Sequence, residues 1–296
     1  MHRAITPVGR IRPLLALALL SVIWGYNWVV MKEALQYIDP FAFSALRSIF
    51  GALAIFTTLL LLGRSQAPGS FPGVLILGLI QTTLFVTFSA WALVSGGAGK
   101  TAVLVYTMPL WLLMLAWPIL GERVKGWQWL ALLSAFGGLL LILEPWQMRA
   151  PLFSTVLALL AAICWAASGI WVKRLRARVR IDLLPLTAWQ LVLGSVPLLI
   201  FAFIARPQPI AWAPALVWAL VYNAIPATAL AWLLWLYALH ELPAGMAGMG
   251  TLLTPLVGVS AAWLQLGEQP GAADAGGMIL VFAGLAILIL DQWKRR

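Results

Sequence analysis

"MPLWLLMLAWPILGE" (residues 108–122) returns later in the chain as "TPLVGVSAAWLQLGE" (254–268). A second pair, "WGYNWVVMK" (24–32) and "WAASGIWVK" (165–173), repeats at nearly the same interval. Both pairs lie within long apolar runs, so the chain reads as two copies of one membrane unit, a first half over 1–146 and a second over 147–296. Of the 296 residues, 63% are hydrophobic and 9% charged, whereas a soluble domain carries about 25% charged residues. Lipid is the solvent such a chain requires.

A spanning helix needs about 20 mostly apolar residues. Ten runs meet that description, at 13–33, 41–63, 71–94, 98–119, 126–144, 151–173, 183–205, 212–239, 243–265 and 273–291. The expected fold is therefore all-α and integral to the membrane, ten helices arranged as two five-helix repeats. Because five is odd, the second copy enters the bilayer from the opposite side, and inverted repeats of this kind are typical of secondary transporters with a midplane site. The first run follows Arg3, Arg10 and Arg12 like a secretory leader, but it is longer than a leader's apolar core, and its counterpart later in the chain argues that it is retained.

The net charge of +10 has a positional meaning. With the N-terminus inside, most basic residues, including the cluster "KRLRARVR" (173–180), fall on the same side, while Lys32, Lys100, Arg149 and Arg206 fall on the other and Arg47 lies inside a helix. That bias puts both termini in the cytoplasm, predicts a multi-pass protein of the inner (plasma) membrane, and leaves nucleic acid no role. Cys164 stands alone, which excludes an intrachain disulfide and a cysteine metal site. No metal ligand set, catalytic group or cofactor motif is expected. "SGGAGKT" (95–101) approaches a phosphate-binding loop, yet position 94 is Val94 where the leading glycine belongs, and no strand precedes it. The acidic residues all fall at or near span ends, whereas proton-coupled carriers commonly hold a carboxylate inside the membrane, so a passive or weakly coupled carrier is expected.

Midspan polar and aromatic residues are the candidates for a binding site. Asn27 must face the bundle interior, because an amide exposed to lipid loses its hydrogen bonds at a cost of several kcal/mol. Trp24 and Trp165 are repeat counterparts that either pack helices or offer flat faces to an aromatic or cationic ligand. Gln81 and Phe85 share a face of the third run and Tyr106 and Pro109 of the fourth. Ser168, Asn223, Trp232 and Thr251 are the second-half candidates, although a serine or threonine also satisfies itself on its own helix. Arg47 is placed to pair with a substrate carboxylate, to pair with Asp39, or to snorkel. Pro109 and Pro255, equivalent in the repeat, each remove a midspan helix hydrogen bond and are the expected bending points of gates.

"DPFAFSALRSIFGALA" (39–54), "YTMPLWLLMLAWPILGERVKGWQWLALLSAFGGLLLIL" (106–143) and "LTPLVGVSAAWLQLGEQPGAADAGGMILVFAGLAILIL" (253–290) resemble the EamA-type repeats of the drug/metabolite transporter superfamily. The resemblance implies a central cavity formed by the first four helices of each half, a peripheral fifth helix available for a dimer contact, a small-molecule substrate, and a monomer or homodimer surrounded by lipid. Within that family the pattern is similar to the YddG-like exporters of aromatic amino acids. Expected function is export of amino acids or similar metabolites by alternating access. The alternatives are export of organic cations or drugs through the same cavity and, from other classes, a lipid-modifying membrane enzyme or a membrane structural or assembly protein.

Overall fold

The computed structural model describes residues 7–121, 124, 126–143, 152–205, 209–241 and 253–294. Every regular element among them is helical, as expected where no water is present to satisfy an open backbone. In chain order they are α1 (Pro7–Ala34), α2 (Pro40–Leu61), α3 (Phe71–Leu77), π1 (Gly78–Leu84), α4 (Phe85–Ser95), α5 (Ala98–Val105), α6 (Met108–Leu120), α7 (Trp127–Leu143), α8 (Leu152–Arg178), α9 (Leu183–Ala205), α10 (Pro214–Ala224), π2 (Ile225–Leu230), α11 (Ala231–Glu241), α12 (Leu253–Leu266) and α13 (Ala272–Lys294). Seven of the resulting rods are long and apolar enough to cross a membrane, the third joining α3, π1 and α4, the fourth α5 and α6, and the seventh α10, π2 and α11. Three shorter apolar helices, 127–142, 253–266 and 272–287, stand where the sequence places further spans.

Local sequence sets the ends. Asp39 caps α2 by accepting from the Phe41 and Ala42 amides at 2.8 and 3.3 Å, and Pro40 takes the first helical position, where no amide donor is needed. Gly121 closes α6 at the opposite end of the bundle with φ of 71°, while its repeat counterpart Gly267 follows α12 at the Asp39 end with φ of 69°. A left-handed residue ends a helix, and only glycine adopts it without steric cost.

The fourth span breaks at Tyr106 and Thr107, immediately before Pro109, which belongs to the first turn of α6. The first amides of a helix have no acceptor within it, so within α6 Pro109 leaves no hydrogen bond unmade. Pro255 is the third described residue of α12, and the segment before Leu253 lies outside the described residues. Further irregular backbone lies in the wide turns π1 and π2.

Tertiary contacts are reciprocal. α2 packs on α9 and α7 on α13, while α1 lies against α12 and α11 as α8 lies against α5, α6 and α4. Bare backbone enables the closest of these approaches. A Cβ added at Gly138 would sit 2.5 Å from the Gly277 carbonyl oxygen, and one at Gly284 would sit 2.6 Å from that of Ala131. Small residues at such crossings let helices touch in lipid, where packing replaces the hydrophobic drive.

Polar contacts sort the connections into two ends. At one end Arg64 pairs with Asp182, Arg174 donates to the Ile119 carbonyl at 2.8 Å, and the Trp189 indole donates to that of Gln66 at 2.7 Å. At the other, Lys32 donates to the carbonyls of Leu93 and Gly96 at 2.6 and 2.7 Å, filling the C-terminus of α4. Lys100 there joins Asp274 at 3.1 Å and the Ile142 carbonyl at 2.9 Å, fastening α5 to the α7/α13 pair. Glu268 accepts from the Gly99 amide at 3.2 Å, so the protein's own carboxylate occupies the start of the glycine-rich α5.

Candidate functional site

A cavity of about 410 Å³ opens between the helices, walled by α1, α2, π1 and α4, the break before α6, α8, α9, and π2 with α11. α1 contributes Trp24, Asn27, Trp28 and Met31, which recur at helical spacing along a single face. Trp24 combines both roles considered for it. Its ring lines the cavity while its Nε1 donates to the Ala227 carbonyl in π2 at 2.9 Å, tying α1 to the second half.

Aromatic surface dominates the opposite wall. The Trp165 ring lies 5.5 Å from Phe85 and 5.4 Å from Tyr106, the latter pair edge to face at 81°. Rings at such offsets lock one another's orientation. The result is a stiff aromatic corner built from α4, the Tyr106 break and α8.

Arg47 supplies the wall's charge. Asp39 is engaged in capping α2, and Arg47 has no ion pair or hydrogen bond among the described residues. An unpaired guanidinium held away from bulk water attracts an anion far more strongly than a surface arginine does. No acidic side chain lines the cavity among the described residues.

Several cavity-facing acceptors are also unused. Asn27 Oδ1, Gln190 Oε1, Thr82 Oγ1 and Ser89 Oγ are buried without a hydrogen-bond partner. The amide of Asn27 donates only to the Met31 thioether, at 3.2 Å. Orphaned acceptors lose about 1–3 kcal/mol each until something donates to them. Among the described residues the cavity holds one free cation and several free acceptors, which suits a ligand with both an anionic and a donating group.

Of the residues singled out from sequence, Trp24, Asn27, Arg47, Gln81, Phe85, Tyr106, Trp165, Trp232 and Pro109 are all on this wall. Ser168 and Asn223 are not. The Ser168 hydroxyl donates to the Trp165 carbonyl at 2.7 Å, and the Asn223 amide to that of Ala219 at 2.9 Å, so each spends its donor on its own helix. Pro255 is buried away from the cavity, and Thr251 lies outside the described residues. Sequence reading passed over Met31, Ser48, Thr82, Ser89, Thr187 and Trp235, and took Gln190 only as the repeat partner of Arg47. Helical spacing was the available signal: Ser89 follows Phe85 by four, Trp235 follows Trp232 by three, and Thr187 precedes Gln190 by three.

Comparison with known proteins bears on the whole chain. The model of the EamA-like transporter family matches residues 11–144 and again 152–290. An uncharacterized transporter of Bacillus subtilis, YoaV, is 29% identical over 93% of this chain and 96% of its own. A probable amino-acid metabolite efflux pump of Escherichia coli is 25% identical over 94% of this chain and 95% of its own. A crystal structure of 16% sequence identity superposes with a TM-score of 0.68 over 94% of this chain and 96% of the other, a likeness of fold.

Proposed function

The chain belongs to the EamA-like transporter family, and on that premise we propose that it exports amino acids, aromatic ones foremost, through the cavity beside Arg47. It is a membrane transporter and not an enzyme. The observation that carries the substrate class is the Arg47 guanidinium, unpaired among the described residues, on a wall whose other described residues are aromatic or neutral. A carboxylate satisfies that charge, and the corner of Phe85, Tyr106 and Trp165 accepts a flat side group. The efflux-pump relative supports the same class.

Alternating access between two inverted halves, 1–146 and 147–296, follows from the repeated sequence and is supported by the reciprocal contacts of α1 with α12 and α8 with α6. Ten spans result when α7, α12 and α13 cross with the seven longer rods. The arginine-rich end holding Arg64 and Arg174 faces the cytoplasm, together with both termini, in a bacterial plasma membrane. Transport by a monomer or homodimer proceeds without strong ion coupling, because the described residues of the wall offer no carboxylate to carry a proton.

Organic cations are the second reading, favoured by the tryptophans and the free acceptor oxygens. Arg47 opposes it, since a cation in the same chamber meets an unneutralised like charge. Counterflow in liposomes separates the two. Labelled tryptophan should exchange saturably with no proton gradient, tryptamine should not, and Arg47→Gln should weaken tryptophan by about tenfold or more, the value of a charged hydrogen bond. Equal exchange of tryptophan and tryptamine by the parent protein would sink the amino-acid assignment.

A further inference from the structure

Two helix crossings border the cavity, and they are the same crossing made twice. In one, Gly51 of α2 meets Thr228 of π2, with a Cβ at Gly51 falling 3.0 Å from the threonine methyl. In the other, Gly194 of α9 meets Thr82 of π1, with a Cβ at Gly194 falling 2.4 Å from the threonine Cβ and 2.3 Å from the Gly78 carbonyl oxygen. One turn before each glycine stands a cavity residue, Arg47 before Gly51 and Gln190 before Gly194. Backbone geometry makes these positions equivalent. Their chemistry is opposite, a donor cation against a neutral amide.

The threonines extend that contrast. Thr228 of π2 donates its hydroxyl back to the Asn223 carbonyl at the end of α10, at 2.7 Å. Thr82 Oγ1 has no partner, and neither has Gln190 Oε1, although Thr82 is 1% exposed and Gln190 4%. Both acceptors lie on the α9/π1 crossing and both line the cavity. Two unused oxygens at one crossing match a group that offers several N–H donors, as an ammonium does.

We propose that Gln190, with Thr82, is the ammonium subsite that makes this transporter select α-amino acids over simple carboxylates, and that it sets which way round the substrate lies. The proposal rests on the amino-acid function given above. A cavity with true two-fold symmetry binds a substrate in two opposed orientations. Arg47 at one crossing and Gln190 at its equivalent leave a zwitterion a single orientation, carboxylate toward α2 and ammonium toward α9. A carboxylate without an ammonium leaves the Gln190 and Thr82 oxygens orphaned, and a site built to hydrogen-bond rejects a ligand that lacks the group.

Calorimetric titration of the purified full chain with phenylalanine, 3-phenylpropionate and phenethylamine tests this directly. The parent protein should prefer phenylalanine to 3-phenylpropionate by about tenfold or more. Gln190→Leu should bring that ratio to within about twofold by weakening phenylalanine alone, and its retained 3-phenylpropionate binding reports an intact fold and carboxylate subsite. Gln190→Glu, which keeps the shape and adds a charge, should strengthen phenethylamine by about tenfold. A ratio unchanged in Gln190→Leu, or equal weakening of both acids, overturns the subsite while leaving the amino-acid function standing. Absence of phenylalanine binding by the parent protein overturns both. Should Gln190→Leu not fold, the glutamate variant decides, and unchanged phenethylamine affinity overturns the proposal.

Discussion

Where α7 meets α13 the two halves of the chain do the same work with residues that are equally small. Gly138 abuts Gly277, and Gly284, the counterpart of Gly138, abuts Ala131, the counterpart of Gly277. Along the cavity the halves share backbone geometry and differ in side chains: Arg47 against Gln190, Asn27 on the wall against Ser168 off it. Close packing tolerates few solutions, because a crossing at van der Waals contact accepts only the smallest residues. A cavity wall is free of that constraint on its open side. Duplication therefore stays legible in the contacts and fades in the chamber, which is where a substrate with two unlike ends needs two unlike walls.

The largest effect expected from disturbing this division is at the tight α9/π1 crossing. Gly194→Leu drives carbon into the Gly78 backbone, which no side-chain movement relieves. Overpacking costs about 1–3 kcal/mol and sometimes more, so the variant should lose its monodisperse peak and its thermal midpoint should fall furthest of any described here. Gly51→Ala meets only the Thr228 side chain and should cost less. Equal midpoints for the two would contradict the tighter approach at Gly194.

Next comes the pair Gly121 and Gly267, which share a left-handed backbone with open space around the missing Cβ. Alanine at either should cost about 1–2 kcal/mol from conformation alone, and thermal melts should show the same loss in both halves. Trp165→Leu opens the aromatic corner. At about 0.5–1.5 kcal/mol per ring pair, affinity for phenylalanine should fall several-fold while that for alanine stays level, a contrast readable by competition. The smallest change belongs to Ser168→Ala. Its hydroxyl bonds the Trp165 carbonyl, so transport should stay within about twofold of the parent, given how little such intrahelical bonds contribute. A large loss there would return Ser168 to the cavity.

Much of the site was readable from spacing alone. Asn27 followed from the cost of an amide in lipid, Trp24 from its repeat counterpart Trp165, and Phe85 from its register with Gln81. Ser168 and Asn223 were misplaced for a stated reason: hydroxyls and amides have partners on their own helix, and periodicity does not say which they choose. Pro109 marks where the fourth span breaks, but a proline in an apolar run looks the same whether it bends a helix or begins one. The break at Tyr106 and Thr107 falls just before Pro109 and π2 opens at Pro226, whereas π1 contains no proline to mark it.

By itself the sequence determined the solvent, the helical class and the duplication, since each rests on quantities that add along the chain: apolar length, charge count and recurrence at a fixed interval. The repeat also pairs Arg47 with Gln190, but only the tertiary structure decided that both line the cavity, that Asp39 is spent on a cap, and that Thr82 is left free where Thr228 is not. These are facts about partners. Which donor meets which acceptor depends on distances between residues far apart in the chain, and only the packed fold specifies those.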